Sequence, residues 1–142
     1  MKNAASGTQL DYDDMRIDHI ALYCHDLDGM RDFFVKYFEA KPNGLYHNPR
    51  TGLKTYILSF PDGQSRLELM TRPEVVGDNS NIYSAGFIHL SMAAGSKEAV
   101  DALTERLSAD GYATLSGPRI TGDGYYESCV RGYEGILIEI TI

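Results

Sequence analysis

The sequence predicts an α+β fold built from two βαβββ modules, and three observations lead there. The order strand, helix, three strands is legible once before residue 80 and again from residue 86. Chemically distinctive residues return at a nearly constant distance: His19 and His89 are 70 residues apart, and Glu68 and Glu139 are 71 apart. Finally, 142 residues at 43% hydrophobic and 23% charged suit one globular domain with an ordinary core.

The elements follow in order. Residues 1–14 are polar and carry three aspartates from Asp11 to Asp14, so they read as an N-terminal extension. The domain spans residues 15–142, with modules at about 15–80 and 84–142. Its first strand, residues 16–24, alternates Ile20, Leu22 and Cys24 against Ile17, His19, Ala21 and Tyr23, a pattern expected of a strand buried on both faces. Asp26 and Asp28 are candidate caps for a helix running to about Glu39. Leu27, Met30, Phe33, Phe34, Tyr37 and Phe38 recur at helical spacing and form its core stripe. Three strands are expected next, around residues 44–46, 53–60 and 65–71. The last two are joined by Pro61, Asp62 and Gly63, a hairpin signal.

The second half repeats this order. Residues 86–92 read as a strand. Ser96 is placed to cap a helix that carries Val100, Leu103 and Leu107 to Asp110, with Gly111 at the position past its end where glycine is favoured. Strands are expected over 112–115, 124–130 and 136–142, with a turn at 132–135.

Charge and composition exclude several functions. The net charge is −7, which argues against nucleic acid or an anionic membrane as the main partner. No apolar run reaches the roughly 20 residues of a bilayer span. The N-terminus lacks the apolar core of a secretory signal, and Cys24 and Cys129 form no redox or zinc-ribbon motif, so a cytoplasmic setting is expected. Both thiols fall on positions expected to be buried and inert; His25 and His47 fall in expected loops.

Strand parity gives the chemistry. Ile136, Ile138, Ile140 and Ile142 make one face of the last strand, leaving Glu139 on the other with Leu137 and Thr141. Leu67 and Leu69 likewise oppose Arg66, Glu68 and Met70, while Ile88, Leu90 and Met92 oppose Phe87, His89 and Ser91. Each imidazole or carboxylate thus faces away from the side suited to packing under a helix. A carboxylate buried in mid-strand is costly unless paired or bound to a metal. Two imidazoles and two carboxylates in one cavity suit Zn²⁺, Ni²⁺, Mn²⁺, Co²⁺ or Fe²⁺ and give Ca²⁺ little reason to bind. Arg66, near Glu68, and Arg131, before the last strand, are candidate partners for a substrate anion, and Tyr125 and Tyr126 are candidates to line the cavity.

These segments, DHIAL at 18–22, LEL at 67–69, HLSM at 89–92 and GILIEI at 135–140, resemble the vicinal oxygen chelate superfamily of glyoxalases, extradiol dioxygenases, methylmalonyl-CoA epimerases and fosfomycin or bleomycin resistance proteins. The resemblance covers nearly the whole chain and implies a curved mixed sheet around a metal site. The glyoxalase I ligand set carries over onto His19, Glu68, His89 and Glu139. Glu68 is the informative residue, because dioxygenases and fosfomycin transferases take no carboxylate from that strand and the epimerases typically have Gln there. Three segments depart from the family pattern: Glu39-Ala40 replaces a glycine after the first helix, Gly132-Tyr133-Glu134-Gly135 replaces an Asp-Pro-Asp-Gly turn, and residues 121–128 resemble less-characterised glyoxalase-like subfamilies.

The resemblance implies one divalent metal per site, Ni²⁺ or Zn²⁺ first and Mn²⁺, Co²⁺ or Fe²⁺ next. It implies a lyase that isomerises an α-ketoaldehyde thiohemiacetal, formed with glutathione or another thiol, to a 2-hydroxyacyl thioester through a metal-bound enediolate. Glu139 is the first choice for the catalytic base, with Glu68 able to serve on the other face. It also implies a homodimer in which each metal takes two ligands from the first module of one chain and two from the second module of its partner. The alternatives are a methylmalonyl-CoA epimerase-like enzyme, a fosfomycin-type thiol transferase, and a non-catalytic drug-binding module.

Overall fold

The computed structural model describes residues 15–142; the extension assigned to 1–14 lies outside the described residues. The first module comprises β1 (Ile20–Tyr23), α1 (Leu27–Phe38), β2 (Lys41–Pro42), β3 (Tyr46–His47), β4 (Lys54–Ser59) and β5 (Arg66–Thr71). The second comprises β6 (His89–Ala93), α2 (Lys97–Ala109), β7 (Ala113–Ile120), β8 (Tyr126–Arg131), a 3-10 turn (Tyr133–Gly135) and β9 (Leu137–Thr141). Each module makes its own curved mixed sheet. In the first, β1 lies parallel to β5, which pairs antiparallel with β4; in the second, β6 lies parallel to β9, which pairs antiparallel with β8. The strand orders are β1-β5-β4-β2, with β3 also on β4, and β6-β9-β8-β7. The predicted α+β architecture is thus present, its curved surface divided into two sheets in each of which the module's first strand, β1 or β6, lies at an edge. Among the described residues no helix is long and apolar enough to cross a membrane.

Both helices start where the sequence places them. Asp26 accepts from the Gly29 N–H at 3.0 Å and Ser96 from the Ala99 N–H at 3.1 Å, each relieving an otherwise unpaired first-turn donor. The stripe Leu27, Met30, Phe33, Phe34, Tyr37 and Phe38 is buried against Leu58, Leu67 and Leu69. Glu39 ends α1 in the left-handed conformation, with φ 54°. It therefore does what glycine usually does there, at a cost of roughly 1–2 kcal/mol for a residue with a Cβ.

Three expectations are corrected. The first strand is short and is not buried on both faces, since Ala21 and Tyr23 are exposed. The reason is that β1 is an edge strand, and only its Ile20 and Leu22 face packs on the core. The single strand expected near residues 44–46 is two fragments on either side of a break. The pairings Pro42↔Leu58 and Tyr46↔Thr55 differ by one residue in register, and Asn43 fills the break by accepting the Ile57 N–H with its side chain at 2.7 Å. The strand after α2 runs on to Ile120, through Gly117 and Pro118. It can do so because β7 is an outer strand with two register shifts, where a missing N–H costs no ladder bond.

The turn at residues 132–135 ties the modules together. The Glu134 carboxylate accepts the backbone N–H groups of His25 at 2.8 Å and Asp26 at 2.5 Å, just ahead of α1. Tyr133 donates its hydroxyl to Asp26 at 2.6 Å. Gly29 makes room for this contact: a Cβ there would lie 2.2 Å from the Tyr133 hydroxyl oxygen. Arg131 donates to the backbone carbonyls of Asn79 and Gly135, and Asn79 donates to the carbonyl of Glu134.

Candidate metal centre

The four residues singled out by the repeat form two pairs. His19 stands one residue ahead of β1, on the side of Ala21, whose parallel register partner is Glu68. His89 opens β6, on the side of Ser91, whose register partner is Glu139. In each module the histidine therefore sits two residues before the position facing the glutamate, and alternation puts both side chains on one face. Nε2 of His19 lies 3.6 Å from Oε2 of Glu68, and Nε2 of His89 lies 3.4 Å from Oε2 of Glu139. The carboxylates are about one-fifth exposed, at 21% and 20%.

These donor sets fit a divalent ion. Ligands that each sit about 2.0–2.2 Å from one cation lie no more than roughly 4.2 Å apart, and both pairs satisfy that. Each pair supplies two donors. Among the described residues no group of three or more His, Cys, Asp or Glu side chains lies close enough to hold a metal, so one chain does not join the two pairs into a single cluster.

The surroundings of the pairs differ. Nδ1 of His19 is 2.8 Å from Oδ2 of Asp18, and the Arg66 guanidinium bonds to that same oxygen. Arg66 first and His19 second hold the Asp18 carboxyl at about 2, below its ordinary 3.8. In the second module Ser91 donates its hydroxyl to Oε1 of Glu139 at 2.6 Å. Glu127 of β8 shares the Glu139 face, one register step away, opposite Arg119 of β7. Burial first, and then the Glu139 charge, push its carboxyl above the ordinary range. Asp18, Ser91 and Glu127 were not identified as site residues from the sequence; Asp18 adjoins His19, and Ser91 shares the His89 face, but their bonds depend on side-chain geometry.

The remaining candidates are placed as follows. Arg66 faces the His19 pair, but as the partner of Asp18. Arg131 is turned toward backbone carbonyls. Tyr126 lies on the opposite side of its sheet, its hydroxyl donated to Asp101 of α2 at 2.5 Å and its ring 4.9 Å from the Lys97 Nζ. The expectation that it lines the site is therefore corrected: Tyr126 shares its face with buried Ser128 and Val130, under α2. Tyr125 is exposed in the loop ahead of β8. His47 lies in β3 rather than a loop.

Cys24 is buried and its thiol is pushed up to about 12, by desolvation first and then by Glu134. Cys129 is only half-buried, not buried as expected. It faces Glu139 across the β8–β9 ladder, and burial followed by the Glu139 charge raises its thiol as well.

Known proteins share this architecture. A glyoxalase family protein of Bacillus cereus superposes with a TM-score of 0.76 at 20% identity, over 98% of this chain and 97% of its own. A glyoxalase family protein of Enterococcus faecalis gives 0.72 at 20% identity, over 89% of this chain and 97% of its own. The fosfomycin resistance protein FosX of Listeria monocytogenes, solved with Mn(II) and sulfate, gives 0.65 at 18% identity, over 89% of this chain and 90% of its own. At these identities the likeness is one of fold. No curated protein sequence matches the chain. The family model described as "Glyoxalase/Bleomycin resistance protein/Dioxygenase superfamily" matches residues 16–140. The chain belongs to the glyoxalase/bleomycin resistance protein/dioxygenase superfamily.

Proposed function

We propose that this chain is a divalent-metal-dependent lyase of the glyoxalase I type, acting in the cytoplasm on the thiohemiacetal of an α-ketoaldehyde and a thiol such as glutathione. The observation that carries the reading is the pair of equivalent His–Glu placements, each with its carboxylate largely withdrawn from water. Each pair offers a metal only two donors, so His19 and Glu68 of one copy would join His89 and Glu139 of a second, in a homodimer with two equivalent sites. When bound, the metal, Ni²⁺ or Zn²⁺ in the first instance, would act as a Lewis acid toward two neighbouring substrate oxygens.

The chain's own residues supply the proton chemistry. Glu139 takes the proton from the carbon that carries sulfur and returns it to the adjacent carbonyl carbon, while the hydroxyl proton on the sulfur-bearing carbon passes to the former carbonyl oxygen. The thiohemiacetal becomes a 2-hydroxyacyl thioester, with no atom gained or lost. Ser91 holds Oε1 of Glu139, so the proton goes to Oε2, the same oxygen that would serve as the metal donor beside His89. Glu68 has the same chemistry for the opposite face of the substrate.

Two measurements test the reading. Elemental mass spectrometry of the purified protein should find about one divalent ion per chain, lost in His19→Ala, and Glu139→Gln should retain the ion while losing roughly 10²-fold or more of its isomerase activity. A protein that takes up no metal from Ni²⁺ or Zn²⁺ would be a binding module instead. For the shared site, the inactive variants His19→Ala and His89→Ala should regain activity when mixed and reassembled, because one of the two sites in the mixed dimer then holds all four ligands. No recovery from confirmed mixed dimers would overturn the sharing.

A further inference from the structure

We infer that Asp18 and Arg66 are positioning residues that hold the His19 imidazole with its proton on Nδ1, keeping the Nε2 lone pair directed at the metal position beside Glu68. The inference rests on the metal reading only for its purpose; the tautomer itself is a property of the metal-free chain.

The argument starts from the competition around His19. A neutral imidazole carries one N–H and one lone pair. Glu68, beside Nε2, favours the tautomer that places the proton there, which would use up the atom a metal needs. Asp18, 2.8 Å from Nδ1, pulls the proton the other way. Arg66 bonds to the same Asp18 oxygen, fixing that acceptor in place. Arg66 and Glu68 stand two residues apart on one face of β5, so a single strand steadies both ends of the imidazole. A second carboxylate behind a ligating histidine is a general way to set its tautomer and ring orientation.

The second module shows that the arrangement is not a by-product of the fold. Its positions equivalent to Asp18 and Arg66 are Ile88 and Leu137, so both members of the charged pair are absent together. Stability does not account for the pair either. Its side chains are 51% and 43% exposed, and ion pairs so open to water contribute little to folding.

The test uses the full chain. Long-range ¹⁵N–¹H correlation spectra of metal-free protein near pH ~8.5, where an ordinary imidazole is neutral, should show His19 as the Nδ1–H tautomer. Asp18→Ala should shift it toward Nε2–H and leave His89 unmoved. Asp18→Asn keeps an acceptor oxygen and should stay close to the parent. Titration with Zn²⁺ should show binding weakened about 10–100-fold in Asp18→Ala and less in Arg66→Met, with unchanged melting temperatures. An unchanged His19 tautomer in Asp18→Ala would overturn the inference even if Zn²⁺ binds. If the parent binds no Zn²⁺, the function proposed above fails, and the spectra still decide the roles of Asp18 and Arg66.

Discussion

Position 18 is aspartate where position 88 is isoleucine, and position 21 is alanine where position 91 is serine. The two modules therefore repeat one backbone register yet support their metal-type residues in opposite ways. The first module steadies its imidazole through Asp18; the second steadies its carboxylate through Ser91. A duplicated fold reproduces where side chains start, because register and parity are backbone properties. It leaves the surrounding hydrogen bonds to be set separately in each copy.

The cores divide in a similar way. In α1, six of twelve residues are buried, and Phe33 packs its ring against Phe34, Tyr37, Phe38, Tyr112 and Tyr133. In α2 three of thirteen are buried, and one of them is Thr104, whose hydroxyl meets that of Ser128 at 2.6 Å. The largest expected effect follows from this contrast. Phe34→Ala should cost about 3–5 kcal/mol in urea denaturation, as expected for truncating a fully buried aromatic side chain. Thr104→Ala, which deprives Ser128 of its partner, should cost about 1–3 kcal/mol. If the second cost matches the first, the modules are anchored equally and the contrast fails.

A smaller effect sharpens the seam between the modules. Gly→Ala at an exposed helical position ordinarily stabilises by up to about 1 kcal/mol. At Gly29 the added methyl would displace the Tyr133 hydroxyl from Asp26, so Gly29→Ala should instead lower the melting temperature. A rise would mean that this contact does little to hold the modules together.

The last effect is in pH and shows only in alkaline solution. The Cys24 thiol titrates near 12 when folded against 9.0 for the free group, so the unfolded chain loses its proton first. The associated stability is intact below pH 9.0 and is lost as pH rises toward 12. Tyr133, held near 12 against 10.0 chiefly by its bond to Asp26, acts in the same direction from about pH 10. Melting curves should fall above pH 9 in the parent and fall less in Cys24→Ala. Identical curves would remove Cys24 as a source of alkaline sensitivity.

Much of this was legible in the sequence, for physical reasons. The α1 stripe, the Ser96 cap, the hairpin at residues 61–63 and the parity of Glu68 and Glu139 all depend on spacing within a few residues. The exposure of β1 was not legible, because it depends on which strand ends up at an edge. The length of β7 was hidden by Gly117 and Pro118, which normally break a strand and are tolerated here only at an outer position. Tyr126 was misplaced because its neighbours Tyr125 and Glu127 leave the parity of that stretch ambiguous. The partners of the metal-type residues were hidden for another reason: a hydrogen bond accepted by Asp18 or donated by Ser91 is a matter of side-chain rotamer, not of period.

The Glu134 carboxylate that receives the N–H groups ahead of α1 has a consequence in time. It lies 108 residues downstream of Asp26. At roughly 5–20 residues per second of synthesis, the segment leading into α1 waits about 5–20 s for the acceptor that completes it. Until then the first module has its Asp26 cap but not the clasp that fixes it against the second. A nascent chain stopped before residue 134 therefore leaves the entry to α1 unfinished.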